Sequence, residues 1–129
     1  MEKRLLKTAV QSPESRIIWF LAKGIEHFQL PKMLRPLQAT ERLLMLSPFL
    51  SEQRITRKRV EQRDTWMGTL INRYLFCYID PQGTTPSLLQ RCLENGKQVF
   101  VLDHPQNTPF TKKATQAISP YNYREVLSL

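Results

Sequence analysis

No stretch of this 129-residue chain approaches the roughly 20 apolar residues in a row that a membrane-spanning helix needs, so a helical membrane protein is not expected. The opening MEKRLLKTAVQSPESR has no long apolar core, so no secretory leader is expected either. Cysteine is scarce. Cys77 and Cys92 are the two present, neither in a CxxC pair, which argues against a structural zinc site or a disulfide framework. A reduced, cytoplasmic setting with no membrane partner is the expectation. There is no internal repeat and no low-complexity segment. Acids are in deficit: eleven Asp and Glu face nineteen Lys and Arg, for a net charge of +8 and a pI near 9.9.

What is present suffices for a core. Hydrophobic residues make up 41% of the chain, and the mean hydropathy is −0.39. The length fits one domain over residues 1–129. A soluble domain this basic often meets a polyanion; the competing reading is a charged surface that only keeps the protein in solution.

Along the chain, residues 2–11 read as a short amphipathic helix, broken at Ser12-Pro13. RIIWFLA (16–22) is continuous enough to suit a strand covered on both faces. Residues 31–41 carry helical spacing at Met33, Leu34 and Leu37, with Pro31 placed for a helix start and Pro36 expected to kink or shorten it. RLLML (42–46) reads as a second strand and 47–58 as a polar, basic loop. A helix is expected over 59–73, a strand over 74–79, a helix over 86–95 stopped by Asn95-Gly96, and a strand over 98–102. Residues 110–117 suggest one more helix, and 123–127 a terminal turn, so that 110–129 reads as a helical tail. Strands separated by helices predict an α/β fold: an open, mostly parallel, four-stranded sheet with flanking helices, a partial Rossmann-like arrangement. Such sheets bind ligands beyond the carboxyl ends of their strands. Those ends are Lys23-Gly24, Ser47-Pro48, Asp80 to Thr85, and Asp103 to Asn107.

Two segments there could meet an anion. Gly83, Thr84 and Thr85 precede a helix, where unpaired N–H groups and the helix dipole favour a phosphate. The same residues also fit a plain N-cap with Pro86 in the first turn. Lys23 and Gly24 join this loop as candidate phosphate contacts. The second segment, RITRKRVEQR, holds Arg54, Arg57, Lys58, Arg59 and Arg63 against the single acid Glu61. Such a cluster can neutralise several phosphates and release their counterions; the other reading is a solvated face. Trp19, Phe20, Phe76, Tyr78 and Phe100 lie in strands and read as core, as does Trp66. Phe28, Phe49, Tyr121 and Tyr123 sit in loops or turns, where an aromatic ring can stack on a base. His27 and His104 both follow strand ends, but only Asp80 and Asp103 accompany them, too few for a convincing metal site. Asp80, Asp103 and His104 could form an acid–base set, yet no activated nucleophile goes with it. No metal, cofactor or catalytic residue is therefore assigned, and a binding protein is favoured over an enzyme.

Laid out in this order, the segments resemble a known family. RIIWFLAKGIEHFQLPK, RLLMLSPF, VEQRDTWMGTLIN, YIDPQGTTPSLLQRCLENGKQVFVLDHP and NTPFTKKATQAISPYNYREVL are together similar to the Rossmann-like domain of DNA-processing protein A (DprA, also called Smf), within the SLOG group of nucleotide-binding folds. The family's Arg-Asn-Arg signature stands here as Arg63-Asp64-Thr65, its Ser-Gly-Ser loop as Gly83-Thr84-Thr85, and Pro48 directly follows Ser47 where the family has an acid. The family's domain opens with further strands, and the chain begins after them. The resemblance implies single-stranded DNA binding, recombinase loading and dimerisation, without catalysis. It also implies either a homodimer or a partner chain that supplies the missing strands. Two rival readings stand beside it: a SLOG-type nucleotide binder or nucleoside-monophosphate phosphoribohydrolase using the Gly83 loop, and a scaffold that only pairs with another protein.

Overall fold

Short apolar runs alternate with helices along the chain, and the computed structural model, which describes residues 2–114 and 116–127, forms an α/β fold from them. The element order is α1 (Glu2–Gln11), β1 (Ile17–Phe20), α2 (Arg35–Ala39), β2 (Leu43–Leu46), α3 (Arg57–Gly68), β3 (Arg73–Phe76), α4 (Thr85–Glu94), β4 (Gln98–Leu102), α5 (Thr108–Thr111), β5 (Gln116–Ile118) and α6 (Tyr123–Leu127). Every strand pairing is parallel. β1 pairs with β2, with Ile18 opposite Leu44. β4 lies between β3 and β5 in a second, three-stranded sheet. The chain divides into two compact units, Met1–Met67 and Gly68–Leu129, with one sheet in each.

In the first unit, Leu34 and Leu37 are fully buried, and Leu21 and Ala22 are buried as well. Pro36 has the expected effect on the helix. A 3-10 turn at Lys32–Leu34 leads into α2, which is only five residues long. Arg42 ties the turn after α1 to the start of β2, its Nη1 donating to Ser12 O at 2.6 Å and its Nε to Thr40 Oγ1 at 3.0 Å. α3 begins two residues earlier than the pattern suggests. Thr56 caps it, its Oγ1 accepting from the Arg59 N–H at 3.2 Å.

The expectation that β1 is covered on both faces is corrected. Ile18 is 56% exposed and its register partner Leu44 51% exposed. Trp66 of α3 packs edge-on against Phe20 at 5.6 Å, so that end of the face is covered and the Ile18 end is not.

In the second unit the core is Tyr74, Phe76, Ile79, Leu89, Cys92, Val99, Phe100, Val101 and Ile118. Tyr78, expected in the core, is exposed, because the buried positions here fall on Phe76, the last residue of β3, and on Ile79. α4 ends where Asn95-Gly96 predicts. Gly96 takes φ +66, the Lys97 N–H donates to Cys92 O at 2.9 Å and the Gly96 N–H to Leu93 O at 3.1 Å, a Schellman closure. α3 stops at Gly68 rather than running to residue 73. The Lys97 ammonium donates to Gly68 O at 2.8 Å and to Asn72 Oδ1 at 3.0 Å, which satisfies a terminal carbonyl and holds the turn into β3.

The helical tail is also corrected. Residues 116–118, in part expected as helix, form the fifth strand, which β4 recruits by pairing Phe100 with Gln116 and Leu102 with Ile118. Buried Ile118 gains more from that sheet than from a short isolated helix. Residue 115 of the expected helix, like residues 1, 128 and 129 of the expected domain, lies outside the described residues.

Asn107 is the second unit's internal fastener. Fully buried, it donates through Nδ2 to Cys77 O at 3.0 Å and Leu102 O at 2.9 Å. Its Oδ1 accepts from the Ile79 N–H at 3.1 Å. One amide thus joins the chain beyond β3 to the end of β4.

Candidate nucleic-acid interface

The carboxyl end of β1 is shaped by a crossing of two loops. Backbone N–H groups of Gly24, Ile25 and Glu26 donate to the carbonyls of Glu52, Phe49 and Leu50. A Cβ on Gly24 would stand 2.5 Å from Leu50 O and 2.7 Å from Glu52 N, so only glycine lets the two loops meet. Ser47 adds a pin: its hydroxyl donates to Lys23 O at 2.7 Å and accepts from the Phe49 N–H at 3.0 Å. Gly24 therefore spends its N–H within the fold and shapes the loops around it.

Two cavities open beside the crossing. One, of about 390 Å³, is bordered by Lys23, His27, Phe28, Gln29, Ser51 and Gln53. The other, of about 330 Å³, is bordered by Trp19, Lys23, Phe28, Ile55, Val60 and Arg63 among others. Lys23 and Phe28 belong to both, and the Lys23 ammonium sits 5.1 Å from the Phe28 ring centroid. Trp19 meets the same ring edge-on at 5.5 Å. His27 Nε2 lies 3.8 Å from Glu26 Oε2, both side chains well exposed, a contact worth little in water.

The five cations of the basic segment have unequal freedom. Arg54 and Lys58 are exposed. Arg57 is exposed as well, but its guanidinium lies 3.4 Å from Glu61 Oε1, one helical turn away. Arg59 donates to the Arg54 carbonyl, bracing the loop into α3. Arg63 is the most committed, with its side chain 26% exposed and Nη2 2.8 Å from Asp64 Oδ1, a carboxylate 97% buried. Its Nη1 also reaches Phe20 O at 3.4 Å, which fastens α3 to the end of β1. Removing one side of such a pair would strand the buried acid, so Arg63 first holds the wall of the cavity together.

The Gly83 loop lies in the second unit. Thr84 is the N-cap of α4 but makes no side-chain capping bond. Instead Asp80 turns back: its Oδ1 accepts from the Gln82 N–H at 3.0 Å and its carbonyl from the Gly83 N–H at 3.0 Å. A Cβ on Gly83 would meet Asp80 Oδ2 at 3.5 Å, so a carboxylate already sits at this helix start. That negative charge opposes a phosphate where the dipole alone would welcome one. The space around Gly83 is ordinary, and its φ is not positive. Gly83→Ala is therefore expected to melt within about 0.5 kcal/mol of wild type by circular dichroism and to leave oligonucleotide affinity unchanged.

The remaining candidates serve their own turns. His104 Nδ1 accepts from the Gln106 N–H at 3.3 Å, and Asp103 is exposed. Burial pushes the Cys77 thiol up, away from the thiolate a nucleophile needs. Tyr121 is almost wholly exposed and Tyr123 partly so, both in the second unit. Among the described residues no three His, Cys, Asp or Glu side chains gather as metal ligands, and no helix is long and apolar enough to cross a membrane. Sequence reasoning missed Ser47, read only as a strand stop, and the lining residues Gln29, Ser51 and Gln53. A hydroxyl directly after a strand that ends beside a second strand's glycine turn is the signal that could have marked Ser47. Compared with known proteins, the chain matches no family model, no curated protein and no solved structure.

Proposed function

We propose that the protein is a non-enzymatic, DprA-like binder of single-stranded DNA, and that the first unit carries the site. The observation that carries this reading is the pair of cavities at the end of β1, which share the Lys23 ammonium and the Phe28 ring, with Trp19 edge-on to that ring and bordering one of them. Grooves that hold single strands combine cations for the backbone with rings on which bases stack. The exposed Arg54 and Lys58 lie in the segment that contributes Ile55 and Val60 to one cavity, and they supply further phosphate contacts. The rival reading, a nucleotide held at Gly83, is disfavoured by the Asp80 carboxylate at that helix start.

Fluorescence anisotropy with a labelled oligothymidylate over a salt series tests the proposal. Wild type should bind, with log affinity falling linearly against log salt. The Arg54→Ala/Lys58→Ala variant removes two charges that no other side chain among the described residues holds, and its slope should be shallower by about 1.4. No binding at low salt would sink the reading. An unchanged slope would remove Arg54 and Lys58 from the site.

A further inference from the structure

The cavity beside Phe28 continues in one direction that no motif marks. Gln29, on its border, also borders a third depression, a broad open groove of about 1020 Å³ whose other edges include Lys32, Arg35 and Gln38. Shared residues therefore link three depressions in the first unit: Gln29 joins the broad groove to the cavity beside His27, and Lys23 with Phe28 joins that cavity to the one bordered by Arg63. Cations recur along them, Lys32 and Arg35 at one end, Lys23 in the middle, Arg63 at the other. Neutral hydrogen-bonding groups lie between, from Gln29, Gln38, Ser51 and Gln53. Among the described residues, none that lines the three depressions is an acid.

Local structure explains why Lys32 and Arg35 face outward. The 3-10 turn and α2 insert Leu34 and Leu37 fully into the core. With those two positions inside, Lys32, Arg35 and Gln38, at spacings of three, are left on the open side, all exposed. Pro31 and Pro36 restrict the backbone here, so these heads are carried on a short, stiff segment.

We infer that the single-strand site does not end at Phe28 but runs on past Gln29 into the Lys32–Arg35 groove, so that the protein holds a run of several nucleotides and not a single one. This inference rests on the function proposed above. A linked series of depressions with recurring cations and amides matches the backbone of a single strand, whose charge repeats at every nucleotide, and single-strand sites commonly span about 4–16 nucleotides.

The test compares a labelled dodecathymidylate with a labelled trithymidylate on the full chain, wild type against Lys32→Ala/Arg35→Ala. Both replaced side chains are exposed, and a melting curve checks that the fold is kept. For the dodecamer the variant should bind roughly tenfold more weakly, with a salt slope shallower by about 1.4. The trimer, seated at Lys23 and Phe28, should be held as by wild type. Gln38→Glu, which adds an acid to the groove and removes no cation, should weaken the dodecamer alone. A dodecamer bound equally by wild type and both variants overturns the extended track and leaves the parent reading standing. Equal weakening of dodecamer and trimer overturns it too, since it would mark a general field effect. No binding of either oligonucleotide to wild type overturns both.

Discussion

Asn107→Leu is expected to lower the unfolding free energy by about 3–5 kcal/mol, read as a drop in the urea midpoint followed by circular dichroism. Leucine fills a similar volume, so the loss comes from bonds rather than from a void. Without the amide, the Ile79 N–H and the carbonyls of Cys77 and Leu102 lose their partner where the side chain was fully buried. Each buried polar group left unsatisfied costs about 1–3 kcal/mol. Asn107→Asp tests the same account from the other side. It keeps an acceptor for Ile79 but turns a carboxylate towards two carbonyls, and it should be no milder than leucine. A midpoint unchanged in either variant would mean that water or a shift of the loop replaces the clasp at no cost.

Gly24→Ala should be nearly as damaging, and damaging to binding too. The added carbon would lie 2.5, 2.7 and 2.8 Å from atoms that all belong to the backbone of residues 50–52, so no side chain can swing away to admit it. The loops must part, which breaks the bonds from Gly24, Ile25 and Glu26 to the 49–52 loop. Overpacking of this kind costs about 1–3 kcal/mol, and the broken bonds add to it. The same variant should lose most of its affinity for single-stranded DNA, because the crossing shapes the walls that carry Lys23 and Phe28. Differential scanning fluorimetry and anisotropy on one preparation give both readouts. Wild-type melting and binding would show that the crossing relaxes freely. The contrast with Gly83→Ala is the sharper point. Two glycines at strand ends look alike in sequence, yet one lies against backbone and the other has ordinary space around it.

That contrast shows where the sequence was readable. The stop at Asn95-Gly96 and the shortened helix at Pro36 depend on a few neighbouring residues, and both are visible in the sequence. The pairing of Arg57 with Glu61 is not, since residue 57 falls in the expected 47–58 loop and only the earlier start of α3 sets it one turn from Glu61. β5 was not visible, because three residues carry no periodicity and gain their strand only by pairing with β4. Asn107 sits in a loop, and the groups it holds lie 5 to 30 residues away. The basic segment was legible as charge but not as geometry. Counting gives five cations; among the described residues Arg54 and Lys58 have no side-chain partner, Arg59 is lent to a carbonyl and Arg63 is committed to Asp64. Lys32 and Arg35 escaped notice for the opposite reason. They are sparse in sequence and gain meaning only because the leucines between and beside them turn inward.

The uncovered pair Ile18 and Leu44 bears on how this protein behaves in a test tube. Oily side chains lie side by side on a molecule of charge +8. In dilute buffer, mutual repulsion keeps such molecules apart. At about 1 M salt the screening length shrinks to roughly 3 Å, and that repulsion no longer guards the patch. The salt series that reports phosphate contacts thus also removes the barrier to self-association, and light scattering recorded alongside it separates release of the oligonucleotide from clustering of the protein.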